Sequence, residues 1–319
     1  MNKIIPIFFT IDDNYAKYAA CAINSIIKNS SKKYTYHIII VSEGLNEKNK
    51  TKLKSFENEN FKIMFREIDE ASLVIEDREE NKLRCDYFTL TIYLRLFLAD
   101  IFNEYDKAIY IDSDVVVPTD ISKLYEIDLK DNIIGACTDY SIQDIDALTY
   151  YVENAVGVKR LDYINSGVLL MNLKKMREVG LKNKFLTLLD KYHFDSIAPD
   201  QDYINAICNG CILYLDKRWD TMPNPEQALE ENPLLIHYNL FQKPWCYDNI
   251  QYEGYFWKYA LDSGYYEELL EFKKNYSDDK KECDSKSLEK LVSKGLSIPS
   301  NEYTFKKVHE ELNNIRLGD

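Results

Sequence analysis

Long apolar runs are missing from this chain. The N-terminal candidate, residues 4–9 after Lys3, is too brief for the apolar core of a signal peptide and far too brief to span a bilayer, which takes roughly 20 apolar residues. A basic excess is missing as well. Forty Lys and Arg stand against 53 Asp and Glu, and the net charge of −13 disfavours nonspecific attraction to nucleic acid or to an anionic lipid surface. Any anion site must therefore be local. The seven cysteines are odd in number and scattered over Cys21, Cys85, Cys137, Cys208, Cys211, Cys246 and Cys283, which disfavours a secreted disulfide framework and fits a reducing compartment. Cys208-Asn209-Gly210-Cys211 has the C-x-x-C spacing, but no second thiol pair or nearby histidine completes a zinc set. Its Asn-Gly reads as the turn between a helix and a strand. Internal repeats and low-complexity tracts are also lacking. The expectation is a soluble cytoplasmic protein, at most peripheral to the inner face of a membrane, with no nucleic-acid partner.

What is present is an alternation of strand-like apolar runs with segments of helical period, the pattern of a mainly parallel α/β sheet flanked by helices. Strands are expected at 4–10, 36–41, 61–68, 133–137, 163–173 and 212–215. Helices are expected near 19–27, 47–56, 91–102, 181–192 and 201–208, and the polar stretch 77–82 reads as a surface loop. Beyond about residue 262 charged helical patterns (265–276, 287–296, 303–317) alternate with polar breaks. This divides the chain into an α/β unit, 1–261, and a small C-terminal helical appendage, 262–319. The appendage is either a packing brace or a docking element for acceptor or partner; its mixed charges favour the brace.

The most informative stretch is Lys107-Ala108-Ile109-Tyr110-Ile111-Asp112-Ser113-Asp114-Val115-Val116-Val117, in which two carboxylates interrupt a buried strand. Side chains two apart on a strand point the same way, so Asp112 and Asp114 can converge just past its C-terminal end, where open α/β sheets bind ligands. Hard carboxylate oxygens suit Mg²⁺ or Mn²⁺, which keep open positions for water and diphosphate oxygens. The competing reading is that both cap the turn at Pro118-Thr119-Asp120. Two further clusters fall into place around this pair. Asp12, Asp13, Asn14 and Tyr15 follow the first strand and offer hydrogen-bonding groups and a stacking ring to a nucleoside, unless Asp12 or Asp13 only caps the next helix. Ile236-His237-Tyr238-Asn239-Leu240-Phe241-Gln242-Lys243-Pro244-Trp245 holds one of only four histidines. A neutral imidazole can complete a carboxylate metal site, and Lys243 can meet a diphosphate as a point charge.

Five ordered motifs carry a family resemblance: Phe9-Thr10-Ile11-Asp12-Asp13-Asn14-Tyr15, Tyr110-Ile111-Asp112-Ser113-Asp114, Asn165-Ser166-Gly167-Val168-Leu169-Leu170-Met171-Asn172-Leu173, Asp200-Gln201-Asp202, and His237 through Lys243-Pro244-Trp245. Over roughly residues 4–260 the chain resembles the retaining glycosyltransferases of family eight, relatives of lipopolysaccharide galactosyl- and glucosyltransferases and of glycogenin. The resemblance implies a Rossmann-like GT-A fold, UDP-galactose or UDP-glucose as donor, and a Mn²⁺ ion (or Mg²⁺) held by Asp112, Asp114 and His237. It implies that Lys243 binds the diphosphate, that Asp12, Asn14 and Tyr15 bind uridine, and that Ser113, within the D-x-D motif, lies against the donor. Arg95 matches an arginine that contacts the donor sugar; Asp139, Asn165 and Asp200 match groups that hold its hydroxyls. Gln201 matches a side chain near the β face of the anomeric carbon. A backbone N–H between the histidine and the lysine often comes from glycine in the family. Leu240 stands there, a residue that enters φ > 0 only at a cost.

The implied reaction is transfer of a hexose, with retention, to a hydroxyl of a glycan acceptor such as a bacterial surface polysaccharide or lipopolysaccharide. An amide is a poor nucleophile, so front-face attack is expected over a covalent glycosyl intermediate on Asp200 or Asp139. Two other readings stay open at this level: an aspartate-nucleophile phosphohydrolase using Asp112, and a non-catalytic UDP-sugar-binding protein. Acceptor choice is expected to lie in residues 141–160 and 216–231, with Tyr140, Tyr150 and Tyr151 as candidates for stacking on a sugar.

Overall fold

The structure, a computed structural model, describes residues 3–68 and 90–317; the expected loop at 77–82 lies outside them. Among the described residues nine strands form: β1 Ile4–Thr10, β2 Thr35–Ser42, β3 Phe61–Glu67, β4 Ala108–Ile111, β5 Val115–Val116, β6 Ile134–Thr138, β7 Ile164–Met171, β8 Ile212–Tyr214 and β9 Ile236–His237. Seven make one sheet in the order β3-β2-β1-β4-β7-β6-β8, and β5 pairs with β9 in a second, two-stranded sheet. All strands of the large sheet run parallel except β7, which is antiparallel to both β4 and β6.

Alternation along the central strands explains why both faces are covered. Ile5, Ile7 and Phe9 of β1, with Ile109 and Ile111 of β4, enter one apolar core; Phe8, Ala108 and Tyr110 point into the other. Side chains of period two on a twice-buried strand require apolar residues at every position. The helix Ala16–Asn29 closes the first face, while Leu181–Tyr192 and Pro199–Cys208 close the second. Gly210, at φ 88°, makes the turn from Pro199–Cys208 into β8, and Cys208 is buried in the core.

One helical expectation changes form. Residues 91–102 fold as a 3-10 helix, Leu90–Leu96, followed by the short helix Leu98–Ile101. Beyond residue 262 the chain is helical at Tyr266–Lys274, Asp278–Ser297 and Phe305–Leu312. Its apolar residues enter the same two cores: Leu269 joins one, and Leu291, Phe305 and Val308 the other. Asp284 also accepts hydrogen bonds from Tyr276 (2.7 Å) and from Tyr247 (2.5 Å), two residues past Trp245.

Candidate active site

Strand order reverses between β1 and β4, so a crevice opens beyond their C-terminal ends, the usual ligand position in an open α/β sheet. Asp12 follows β1 and Asp112 follows β4. The two ends are tied together by Tyr110, whose hydroxyl donates to Asp112 Oδ1 (2.7 Å) and bonds Thr10 Oγ1 (2.8 Å).

The D-x-D segment differs from its expected form. Strand β4 stops at Ile111, and Asp112-Ser113-Asp114 makes a turn before β5. Convergence comes from that turn and from the second sheet. Val115 pairs with His237, and Tyr238 N–H donates to Asp114 O at 2.9 Å, which carries the imidazole over the two carboxylates. One ligand atom from each of Asp112, Asp114 and His237 lies within 4.8 Å of the others. Two hard oxygens and one imidazole nitrogen suit Mn²⁺ or Mg²⁺. Gly167 makes room for the cluster: a Cβ there would lie 2.4 Å from His237 Cε1 and 2.7 Å from Asp112 Oδ2. The residues therefore fit a small divalent cation.

Charge in this cluster is already organised. Lys243 pairs with Asp114, and His237 Nε2 lies 3.3 Å from Asp114 Oδ1. Burial disfavours the charged Asp114, but Lys243 and His237 more than offset it and hold its carboxyl below the usual range. Burial likewise disfavours the His237 imidazolium, yet Asp114 and Asp220 raise it to about 10. Asp220 was not legible as a site residue. It lies 3.0 Å from His237 Nδ1, and its own carboxyl is pushed up to about 6 by burial, with His237 opposing.

A polar shelf adjoins the cluster. Arg95 is 6% exposed and stacks 4.5 Å over the Tyr110 ring. Its Nη2 donates to Asp112 Oδ1 (3.1 Å) and its Nη1 to Ser166 O (2.7 Å), while its Nε forms an ion pair with Asp200 Oδ2 (3.0 Å). Gln201 is fixed at both ends: Oε1 accepts from Ser166 N (3.0 Å), and Nε2 donates to Asp139 Oδ2 (2.9 Å). Asn165 Nδ2 donates to the same oxygen (3.3 Å), while its Oδ1 accepts from Gly167 N (2.8 Å). The 199–208 helix that carries Asp200 and Gln201 is anchored by buried Asp202, which accepts from Tyr163 (2.6 Å), Tyr151 (2.7 Å), Ala198 N (3.0 Å) and Ser196. Ser113 is buried within the D-x-D turn.

The first-strand cluster divides. Asp13 is structural, since its carboxylate accepts from Asn46 N (3.0 Å) and Asn49 Nδ2 (2.8 Å). Asp12 accepts from Tyr15 N (3.0 Å) and Asn14 Nδ2 (3.3 Å), and the Tyr15 ring is half exposed beside Tyr18, which stacks on Trp245 at 4.3 Å. The ends of the first and last motifs thus meet through aromatic contacts. Leu240 does adopt the left-handed backbone, at φ 54°, and its N–H donates to Asn239 Oδ1 (2.8 Å). Among the stacking candidates Tyr151 must be withdrawn: it is fully buried, and its hydroxyl is spent on Asp202. Tyr150 remains half exposed.

The fold defines a class. The galactosyltransferase LgtC, solved in complex with donor and acceptor sugar analogs, superposes with a TM-score of 0.66 at 24% identity, covering 80% of this chain and 95% of that one. The bifunctional glycosyltransferase WbbM in its apo form gives 0.70 at 21% identity, covering 86% of this chain but only 52% of that one. The molecule is a GT-A protein. Residues 6–249 match the sequence profile of glycosyl transferase family 8, and the chain belongs to that family. The lipopolysaccharide 1,2-glucosyltransferase of Escherichia coli K12 is 24% identical over 306 residues, covering 86% of this chain and 85% of that protein.

Proposed function

We propose that this glycosyltransferase is a retaining hexosyltransferase that moves galactose or glucose from a UDP-sugar to a hydroxyl of a glycan acceptor, with Mn²⁺, or Mg²⁺ in its place, as cofactor. The observation that carries the reading is the meeting of Asp112, Asp114 and His237 around the Cβ-free edge of Gly167, at the point where strand order reverses. Similarity to a lipopolysaccharide glucosyltransferase supports a bacterial surface polysaccharide or lipopolysaccharide as acceptor. Among the described residues no helix is long and apolar enough to cross a membrane, and we assign the enzyme to the cytoplasm, peripheral at most to the inner membrane face. Residues 1–261 would form the transferase unit and 262–319 its brace.

In this reading Asp112, Asp114 and His237 hold the cation, which when bound supplies Lewis-acid neutralisation of the diphosphate. Lys243 adds a positive charge to the leaving UDP, a stabilisation worth most where charge develops. Asp12, Asn14 and Tyr15 take the uridine, and Ser113 lies against the donor. Arg95, Asp139, Asn165 and Asp200 orient the sugar hydroxyls. Gln201, locked by Ser166 and Asp139, presents an amide that is a poor nucleophile, and Asp200 is tied up by Arg95 at 3.0 Å. Both features favour front-face attack: the anomeric carbon–phosphate bond breaks, the acceptor oxygen bonds on the vacated face, and its proton passes to the departing phosphate.

The test is UDP release from a panel of UDP-sugars, with and without Mn²⁺, for the parent and Asp114→Ala. Metal-dependent release from one donor, lost in the variant, is expected. Phosphatase activity that needs Asp112, or tight donor binding with no turnover even when glycan acceptors are supplied, would overturn the proposal.

A further inference from the structure

Asp220 belongs to none of the motifs that carry the family resemblance. It closes the short 3-10 turn Lys217–Asp220, 17 residues before His237, and is 1% exposed. A carboxylate buried this deeply is costly unless it is paired or hydrogen-bonded. Its Oδ1 sits 3.0 Å from His237 Nδ1, whereas its Oδ2 is buried and has no hydrogen-bond partner among the described residues. Packing around it is stiff: Trp219 is buried beside it, His237 N–H donates to Thr221 O (2.8 Å), and Thr221 N–H donates to Leu235 O (2.9 Å). The acid and the imidazole are thus held on neighbouring, cross-bonded backbone segments.

An imidazole whose Nδ1–H donates to a carboxylate presents Nε2 as the donor atom on its far side. Here the far side is the D-x-D turn, with Asp114 Oδ1 3.3 Å from Nε2. We infer that Asp220 is the positioning residue of the metal centre: it fixes the tautomer and ring orientation of His237 and strengthens Nε2 as a ligand. The inference rests on the reading that Asp112, Asp114 and His237 hold a divalent cation.

The test measures Mn²⁺ binding directly, by the electron paramagnetic resonance signal of the free ion, on full-length protein without donor. Asp220→Asn and Asp220→Ala are each expected to bind Mn²⁺ roughly 10- to 100-fold more weakly than the parent, the usual cost of losing such an outer partner. Near-parental circular dichroism would show that the fold is kept. With Co²⁺ as probe, the visible absorption of the Asn variant should shift. In a His237→Ala background the Asp220→Asn change should cost no further affinity, because the imidazole it acts through is gone. Parental Mn²⁺ affinity in folded Asp220→Asn, or an equal loss with and without His237, overturns the positioning role. A parent that binds no Mn²⁺ overturns the cation reading itself.

Discussion

Replacing Gly167 by alanine tests how tightly the cluster is built. Gly167 sits on β7 with no left-handed backbone requirement, so alanine meets no conformational barrier there and the whole effect is one of space. The new Cβ would lie 2.4 Å from His237 Cε1, 2.7 Å from Asp112 Oδ2 and 3.0 Å from Asn165 Oδ1. Carbon atoms pack at about 3.5–4.0 Å, so the imidazole or the strand must give by more than an ångström. The strand is the stiffer partner: β7 is paired on both sides, and Gly167 O accepts from Asp112 N at 2.8 Å. His237 therefore moves. Overpacking of this kind costs about 1–3 kcal/mol, and in a chain of this length that lowers Tm by only about 2–5 °C. Misplacing a ligand by an ångström is felt far more in function, on the order of 100-fold. The variant should therefore stay folded in a thermal melt while Mn²⁺ affinity and UDP release fall by one to two orders of magnitude. Parental Mn²⁺ binding in folded Gly167→Ala would refute the argument that this edge was cleared for the ligand set.

Two further outcomes follow from the same geometry. Without metal, His237 titrates at about 10, raised by Asp114 and Asp220 against burial, so its contribution to stability is complete below its ordinary value near 6.5 and is lost as pH rises toward 10. A cation must displace that proton, so Mn²⁺ affinity should climb about tenfold per unit between pH 7 and 8.5, and calorimetry in buffers of different ionisation enthalpy should register proton release; a flat affinity would contradict it. At Leu240 the φ of 54° costs a leucine about 1–2 kcal/mol that glycine avoids. Leu240→Gly should keep or modestly improve donor KM, and Leu240→Pro, which removes the N–H, should weaken it; a tenfold loss in the glycine variant would show that the side chain itself matters.

Much of the fold was legible because burial writes itself into composition. The run at β1 is apolar at every position but its last, and β2 and β7 carry unbroken apolar stretches at 38–41 and 168–171, which a strand covered on both faces requires. Strand direction is not written that way. Ile164–Met171 reads the same in either sense, and its reversal between β4 and β6 is set by the path of the connections rather than by any residue within it. Helical form at 90–101 was ambiguous for a related reason: an apolar run does not say whether its winding is 3-10, as at Leu90–Leu96, or α, as at Leu98–Ile101.

The site was legible where chemistry contradicts burial, since two carboxylates at the end of a buried strand, or a histidine beside a lysine, call for a partner. Residues whose role is to shape others left no such mark. Gly167 acts through an atom it lacks, Asp220 through an imidazole 17 residues away, and Asp202 through four donors that were indistinguishable from any other hydroxyl or amide in the chain. Tyr151 shows the converse: a tyrosine in a presumed recognition loop offers a stacking face on paper, but its hydroxyl had a prior engagement with Asp202 that took the ring inside. Electrostatics joins the two levels. Arg95 reaches Asp112, and Lys243 and His237 reach Asp114, so the carboxylates that would receive the cation are aligned by the chain's own cations, and binding amounts to exchanging those partners rather than building a site anew.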